Sequence, residues 1–372
     1  MCSPIYPYIP FASSLVWNRT TVENDGEGVK IHVSFSPDWF SQRMNLDYGE
    51  RWHRDPAYRR DSFVAMAEAL NREFPQLRLG GTPDSIRGGI SQIDTCALMA
   101  ELFGQDPLFS RDKWPENRMV LLNDEAAYRL EVPDIKAHPV YENLMRQIEI
   151  IEREWGAVDG ELNYQGVLNT AFRLRGEQIF LDMIIEPQRA HRVLDVVCRT
   201  MIALVDAVYA LQEQTGVRKD YFVTSNCVVN MISENHYREF VMPYDRRLSE
   251  HYLHFGIHNC GWTVDTYARA YSEIGKLGYL DFGLRSNFEV LRELFPNTLL
   301  AVILNPEDVL GRSPSQIERD LRRMKEAAGP FRIILGSLDG STDSEEVRGL
   351  FRIASSVWER PVEQLVPHPH FG

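Results

Sequence analysis

A chain of 372 residues with 44% hydrophobic and 25% charged residues has the composition of an ordinary globular protein, which excludes extended disorder. Its net charge of -13 is spread along the sequence, which argues against a nucleic-acid surface. The five cysteines are odd in number and scattered, unlike a disulfide framework, and no apolar run approaches the roughly 20 residues of a membrane span. A cytoplasmic protein with reduced thiols is therefore expected, with neither nucleic acid nor membrane as partner.

The chain opens on MCSPIYPYIPFASSLVWNRT, which is apolar in part but lacks a basic segment and contains early prolines, so it does not read as a signal peptide. Residues 1–30 are taken as an N-terminal extension, and the sequon Asn18-Arg19-Thr20 as a chance match. The first strand is 30-KIHVSF-35. The stretch 36–56 then interleaves Trp39, Arg43, Tyr48, Arg51 and His53 with no period of two or 3.6 residues. Such a mixture can line a pocket for a flat or anionic ligand, and these five are the expected substrate-binding residues; the same residues could plug the bottom of a barrel.

A helix follows at 57–74, where Phe63, Met66, Ala67, Leu70 and Phe74 form one apolar stripe. The glycine-rich 79-LGGTPDSIRGGI-90 lacks both GxGxxG and GxxxxGK[ST], so no nucleotide site is expected there. A strand is expected at 119-MVLLN-123. Helices come next on the stripe Val140, Leu144, Ile148, Ile151 and Trp155, from Pro187 to about Gln214, and from Glu234 to His251 with Ser233 as its N-cap. Further apolar runs read as buried strands: 221-YFVT-224, 253-LHFGIH-258, 278-GYLDFG-283, 298-TLLAVIL-304 and 331-FRIILG-336.

Strands alternating with helices, with no linker or low-complexity tract, predict an α/β fold: a single (β/α)8 TIM-type barrel with an elaborated N-terminal region. Its barrel would span residues 31–360 and leave 361–372 as a tail. A doubly wound open sheet is the alternative.

In such barrels chemistry sits at the C-terminal ends of the strands. The late strands here end in Ser225-Asn226-Cys227, His258-Asn259-Cys260, Asp281, Asn305-Pro306 and Ser337 to Asp339. Within 255-FGIHNCGW-262, His258 and Cys260 stand two apart, so an extended backbone would aim both at one point, as two ligands of one zinc ion are presented. A lone pair at this spacing also fits a packed thiol and a histidine bonded to the backbone. A third ligand would come from another strand end, Cys227 or Asp339. No GxSxG, HExxH or CxxC motif is present, so serine-hydrolase chemistry has no foothold.

The order of features from about residue 140 to 355 resembles the uroporphyrinogen decarboxylase superfamily: 166-GVLNTAFRLRGEQIFLDMIIEPQRAHRVLDVV-197, 233-SENHYREFVMPYDRRLSEHY-252, 258-HNCG-261, 305-NP-306 and 342-TDSEEVRGLF-351. The resemblance implies a (β/α)8 barrel and one of two chemistries. True decarboxylases of this superfamily use no metal, and this chain departs from their pattern with Asn226 in place of a strand-ending aspartate and Phe172 in place of a tyrosine. Their arginine-rich N-terminal motif is absent, although Arg43 and Arg51 lie in the comparable region.

The methyltransferase branch binds zinc through an H-x-C pair plus a later cysteine, and exchanges methyl groups with a corrinoid protein. His258 and Cys260 match that pair; the later cysteine is missing, and Asp339 is the nearest candidate. The resemblance thus implies zinc on His258, Cys260 and Asp339, with His258, Asn226 and Asp339 as catalytic residues and Asn305 orienting the substrate. The expected activity is demethylation of a small methylated molecule, with the methyl passed to cobalamin on a partner protein. The alternatives are a cofactor-free decarboxylase and a non-catalytic binding barrel. Barrels of this superfamily also pair into dimers, which makes a homodimer an expectation.

Overall fold

The computed structural model describes residues 28–275, 277–327 and 331–367. Most of the expected N-terminal extension, including the Asn18 sequon, lies outside the described residues, as does the end of the C-terminal tail.

The strands are β1 (Lys30–Phe35), a short pair β2 (Pro107–Leu108) and β3 (Glu116–Asn117), then β4 (Tyr221–Ser225), β5 (His254–His258), β6 (Leu277–Gly283), β7 (Leu299–Leu304) and β8 (Phe331–Leu338). Six of them form one parallel sheet in the order β1-β8-β7-β6-β5-β4. Alternation divides each strand between two environments. Ile31, Val33 and Phe35 of β1 pack outward into the main core under the helices, while Tyr221, Tyr279, Leu299, Ala301, Ile303 and Ile334 form a separate, smaller cluster on the other face. A sheet apolar on both faces, wrapped by helices on one side, is curled around its own interior.

The sheet has six strands rather than the eight expected of a full barrel. Beyond β4, its place is taken by irregular backbone: Ser225 N–H donates to Gln165 O at 3.3 Å, and Gly89 pairs with Asp159 through an isolated parallel bridge. These segments are rich in Gly, Asp and Asn, which do not hold a regular ladder. The described sheet is therefore a half-barrel with its remaining wall built from loops.

The expected strand at 119–123 is not formed. Met119, Val120 and Leu121 are 63%, 61% and 48% exposed, and Leu122 N–H bonds Leu174 O at 2.8 Å, so the run lies as a surface loop against the end of the helix Val167–Arg175. A short apolar run carries no information on burial by itself, and here it was the wrong guide.

The helices largely follow their stripes. Pro56–Glu73 is capped by Asp55, which accepts from the N–H groups of Ala57 and Tyr58, and it buries Phe63, Met66, Ala67 and Leu70. Pro139–Trp155 and Pro187–Gln214 form as expected, the latter with the expected ends. The helix expected at 234–251 forms without a gap, capped by Ser233, with a π-helical turn Tyr237–Val241 between Glu234–His236 and Met242–His251. No helix among the described residues is long and apolar enough to cross a membrane.

Candidate metal centre

The site forms where β4, β5 and β6 end side by side. The register pairs Ser225 with His258, and Asn226 N–H donates to His258 O at 2.7 Å, so the turn after β4 starts level with the tip of β5. That places Cys227, first residue of the turn Cys227–Met231, beside the imidazole. The ligand atoms of Cys227, His258 and Cys260 all lie within 4.8 Å of one another.

Cys260 reaches this point by a different route from the one expected. The strand ends at His258, and Cys260 and Gly261 both take left-handed backbone, at φ 51° and 79°. A non-glycine residue there is uncommon and clusters at functional sites. The turn is strapped to β6: Gly283 N–H donates to Trp262 O at 2.8 Å, and a Cβ on Gly283 would stand 1.7 Å from Gly261 O. Only glycine permits this approach.

Behind the histidine stands Asp281, fully buried on β6. Its Oδ2 lies 2.6 Å from His258 Nδ1 and accepts from Tyr279 Oη at 2.9 Å, while Oδ1 accepts from Asn259 N–H at 2.7 Å. A carboxylate on Nδ1 fixes the tautomer that leaves Nε2 free, and Nε2 points to Cys260 Sγ at 2.9 Å. Burial works against protonation of His258, but Asp281 and then Cys260 outweigh it and raise its pKa well above the ordinary value. The Cys227 thiol is lowered to about 5, chiefly by a hydrogen bond from Cys260 and, against burial, by His258.

Two sulfurs and one imidazole this close together could hold a metal ion, and they match the donor types that zinc takes in sites with three protein ligands. Cys227, His258 and Cys260 line a cavity of about 650 Å³ together with Asn305, Trp114, Phe172 and Arg173.

The other expected site residues are distributed as follows. Asp339 is outside the cluster; it sits in an exposed turn, where its Oδ1 accepts from the N–H and Oγ of Ser341 at 2.9 and 2.6 Å, bonds that lower its pKa. Asn226 is buried and turned away from the cavity, donating from Nδ2 to Asp245 Oδ2 at 2.8 Å, an oxygen that also accepts from Tyr237 Oη at 2.9 Å. Asn305 lines the cavity. Trp39, Tyr48 and His53 are buried in the aromatic packing of the N-terminal layer, with Phe35 and Trp39 rings 4.4 Å apart and Tyr48 and Trp52 rings 4.8 Å apart. Arg43 donates to Gly340 O and Thr342 O, and Arg51 pairs with Asp55. None of those five is on the cavity wall. The run shows no period because it folds as two short helices, Pro37–Met44 and Glu50–Arg54, joined by a loop.

Two residues that matter were not singled out for these roles from the sequence. Asp281 was visible only as a polar strand tip. Asn169, Phe172 and Arg173 lie at i, i+3 and i+4 on Val167–Arg175 and form one polar and aromatic face of that helix; that spacing is the available signal.

Comparison with solved structures finds a methyltransferase from Methanosarcina mazei with a TM-score of 0.61 at 13% identity, covering 89% of this chain and 94% of that one. At that identity the likeness is one of fold. No curated protein matches the chain. The family model for uroporphyrinogen decarboxylase (URO-D) matches residues 93–340, a stretch that contains the three clustered ligands, Asp281 and most of the cavity wall. Since that match covers well over half of the sequence, the chain belongs to the uroporphyrinogen decarboxylase family.

Proposed function

We propose that the protein is a zinc-dependent methyltransferase that moves a methyl group between a small molecule and a corrinoid carried by a partner protein. The observation that carries the reading is the convergence of Cys227, His258 and Cys260 on the cavity, with Asp281 behind the histidine. The methyltransferase fold neighbour supports it. Cys227, His258 and Cys260 would hold the zinc, which would supply soft Lewis acidity suited to a sulfur, and less so to an oxygen, that gives or receives the methyl.

The chain's own residues do the rest. Asp281 holds His258 in the tautomer that presents Nε2, and the strapped turn holds Cys260 level with it. The apolar and amide wall excludes bulk water and orients the substrate. The demethylating direction expected from a carboxylate ligand loses its support, because Asp339 stands outside the cluster and a second thiol takes its place.

The decarboxylase reading is the weaker one on a specific observation. No carboxylate and a single arginine line the cavity among the described residues, whereas a polycarboxylate porphyrinogen would need several cations to replace its lost hydration.

The test is methyl transfer in solution. Zinc-loaded protein given methylcobalamin and a panel of small thiols is expected to consume the methylcobalamin, followed by absorbance. No turnover in this direction or from methyl thioethers to Co(I) cobalamin would contradict the proposal, and carbon dioxide release by metal-stripped protein would favour the decarboxylase.

A further inference from the structure

We propose that the cavity selects a small, flat substrate bearing a single carboxylate, and that Arg173 is the residue that holds that carboxylate. The inference rests on the methyltransferase reading for which end of the ligand faces the metal; the preference for charge follows from the wall itself.

In a protein of net charge -13, the cavity wall carries no Asp or Glu among the described residues, and Arg173 is its one Arg or Lys. The remaining polarity is neutral: five amide side chains, including Gln165, Asn169 and Asn305, orient a ligand without adding charge. Arg173 donates from Nη1 to Asn117 Oδ1 at 3.2 Å and has no carboxylate partner among the described residues. Its other N–H groups remain for the two-pronged contact that a guanidinium makes with a carboxylate.

The arginine is held in place from both ends. Asn117 is itself anchored, donating to Ala97 O and Gln105 O, and the next arginine along the helix, Arg175, pins Val167–Arg175 to buried Asp182 at 2.9 Å. Arg173, Cys96 and the three clustered ligands line the same cavity. Two thiolates would balance the charge of a zinc ion held by the cluster, which leaves Arg173 as the fixed cation that attracts an anion.

Flatness and size follow from the remaining wall. Trp114, held edge-on by Tyr48 with ring centroids 5.7 Å apart, joins Phe172 and Met119 in offering ring faces and sulfur to an aromatic ligand. One guanidinium matches one carboxylate; each further negative charge would be buried unpaired. The class that fits is an aromatic monocarboxylate whose methyl-bearing atom lies away from the carboxylate.

The experiment is ligand binding to the full chain, by calorimetry or tryptophan fluorescence, with 4-methoxybenzoate and uncharged methoxybenzene as probes, before and after chelator treatment. The acid is expected to bind at least about tenfold more tightly than the neutral probe, with or without metal. Arg173→Met should erase that difference, and Arg173→Lys, which keeps the charge but not the fork, should retain part of it. Equal affinities in the wild type, a preference that survives Arg173→Met, or no binding of either probe overturns the proposal. Zinc content read on the same samples separates the two claims: a charge preference in protein that takes up no zinc would keep the substrate class and remove the metal-dependent mechanism.

Discussion

Asp281 decides how His258 can act. It is fully buried and bonded on both oxygens, so its carboxylate and the imidazole are fixed as one unit. Asp281→Asn keeps the shape but exchanges a charge-assisted bond for a neutral one, and partners of this kind change metal affinity by roughly 10–100-fold. A zinc competition titration is therefore expected to show a loss of that order, and unchanged affinity would mean that Asp281 serves the fold alone. Asp245 is the second buried carboxylate near the site. Burial raises its pKa to about 7, against hydrogen bonds from Asn226 and Tyr237 that lower it. Because its folded pKa is raised, the unfolded chain releases this proton first as pH climbs, so stability falls from about pH 4 to about pH 7 and then levels. Between pH 5 and 8 the Asp245 share is on the order of 3 kcal/mol, and Asp245→Asn should remove it from urea unfolding of chelator-treated protein. An unchanged pH slope in that variant would show that Asp245 is not ionised against burial.

The elements that place these residues were legible in the sequence to different degrees. β1 and β4 to β8 announce themselves as apolar runs, and the stripes of Pro56–Glu73, Pro139–Trp155 and Pro187–Gln214 mark their helices. The run at 119–123 misled because apolar residues at a cavity mouth look like those of a strand. The loops around Gly89 and Asp159 that fill out the wall carry no periodic pattern at all. Among site residues, His258 and Cys260 were visible as a pair, whereas the choice between Cys227 and Asp339 depended on strand register and turn shape. Ser225 level with His258 brings the first in, and the bonds to Ser341 keep the second out. The turn itself can be tested. Gly283→Ala would drive a Cβ into Gly261 O, and a backbone atom cannot yield as a flexible side chain can. Weakened zinc binding and a lower melting temperature are expected together; a variant with both unchanged would show that the turn is not fixed by β6.

At the scale of the molecule, a half-barrel with loops completing its wall gathers residues of β1, β4, β5, β7 and β8, and a helix carrying Asn169, Phe172 and Arg173, around one chamber. The bulk charge is negative while the chamber is free of carboxylates among the described residues, a contrast that composition cannot reveal because it averages surface and interior. The most direct test of the metal centre is the zinc content of protein purified without chelator or metal affinity resin, for the wild type and for Cys227→Ala, Cys260→Ala and Asp339→Ala. About one zinc per chain is expected in the wild type and in Asp339→Ala, with loss in both cysteine variants, as a three-ligand site requires. Zinc retained in Cys227→Ala, or lost in Asp339→Ala, would contradict it.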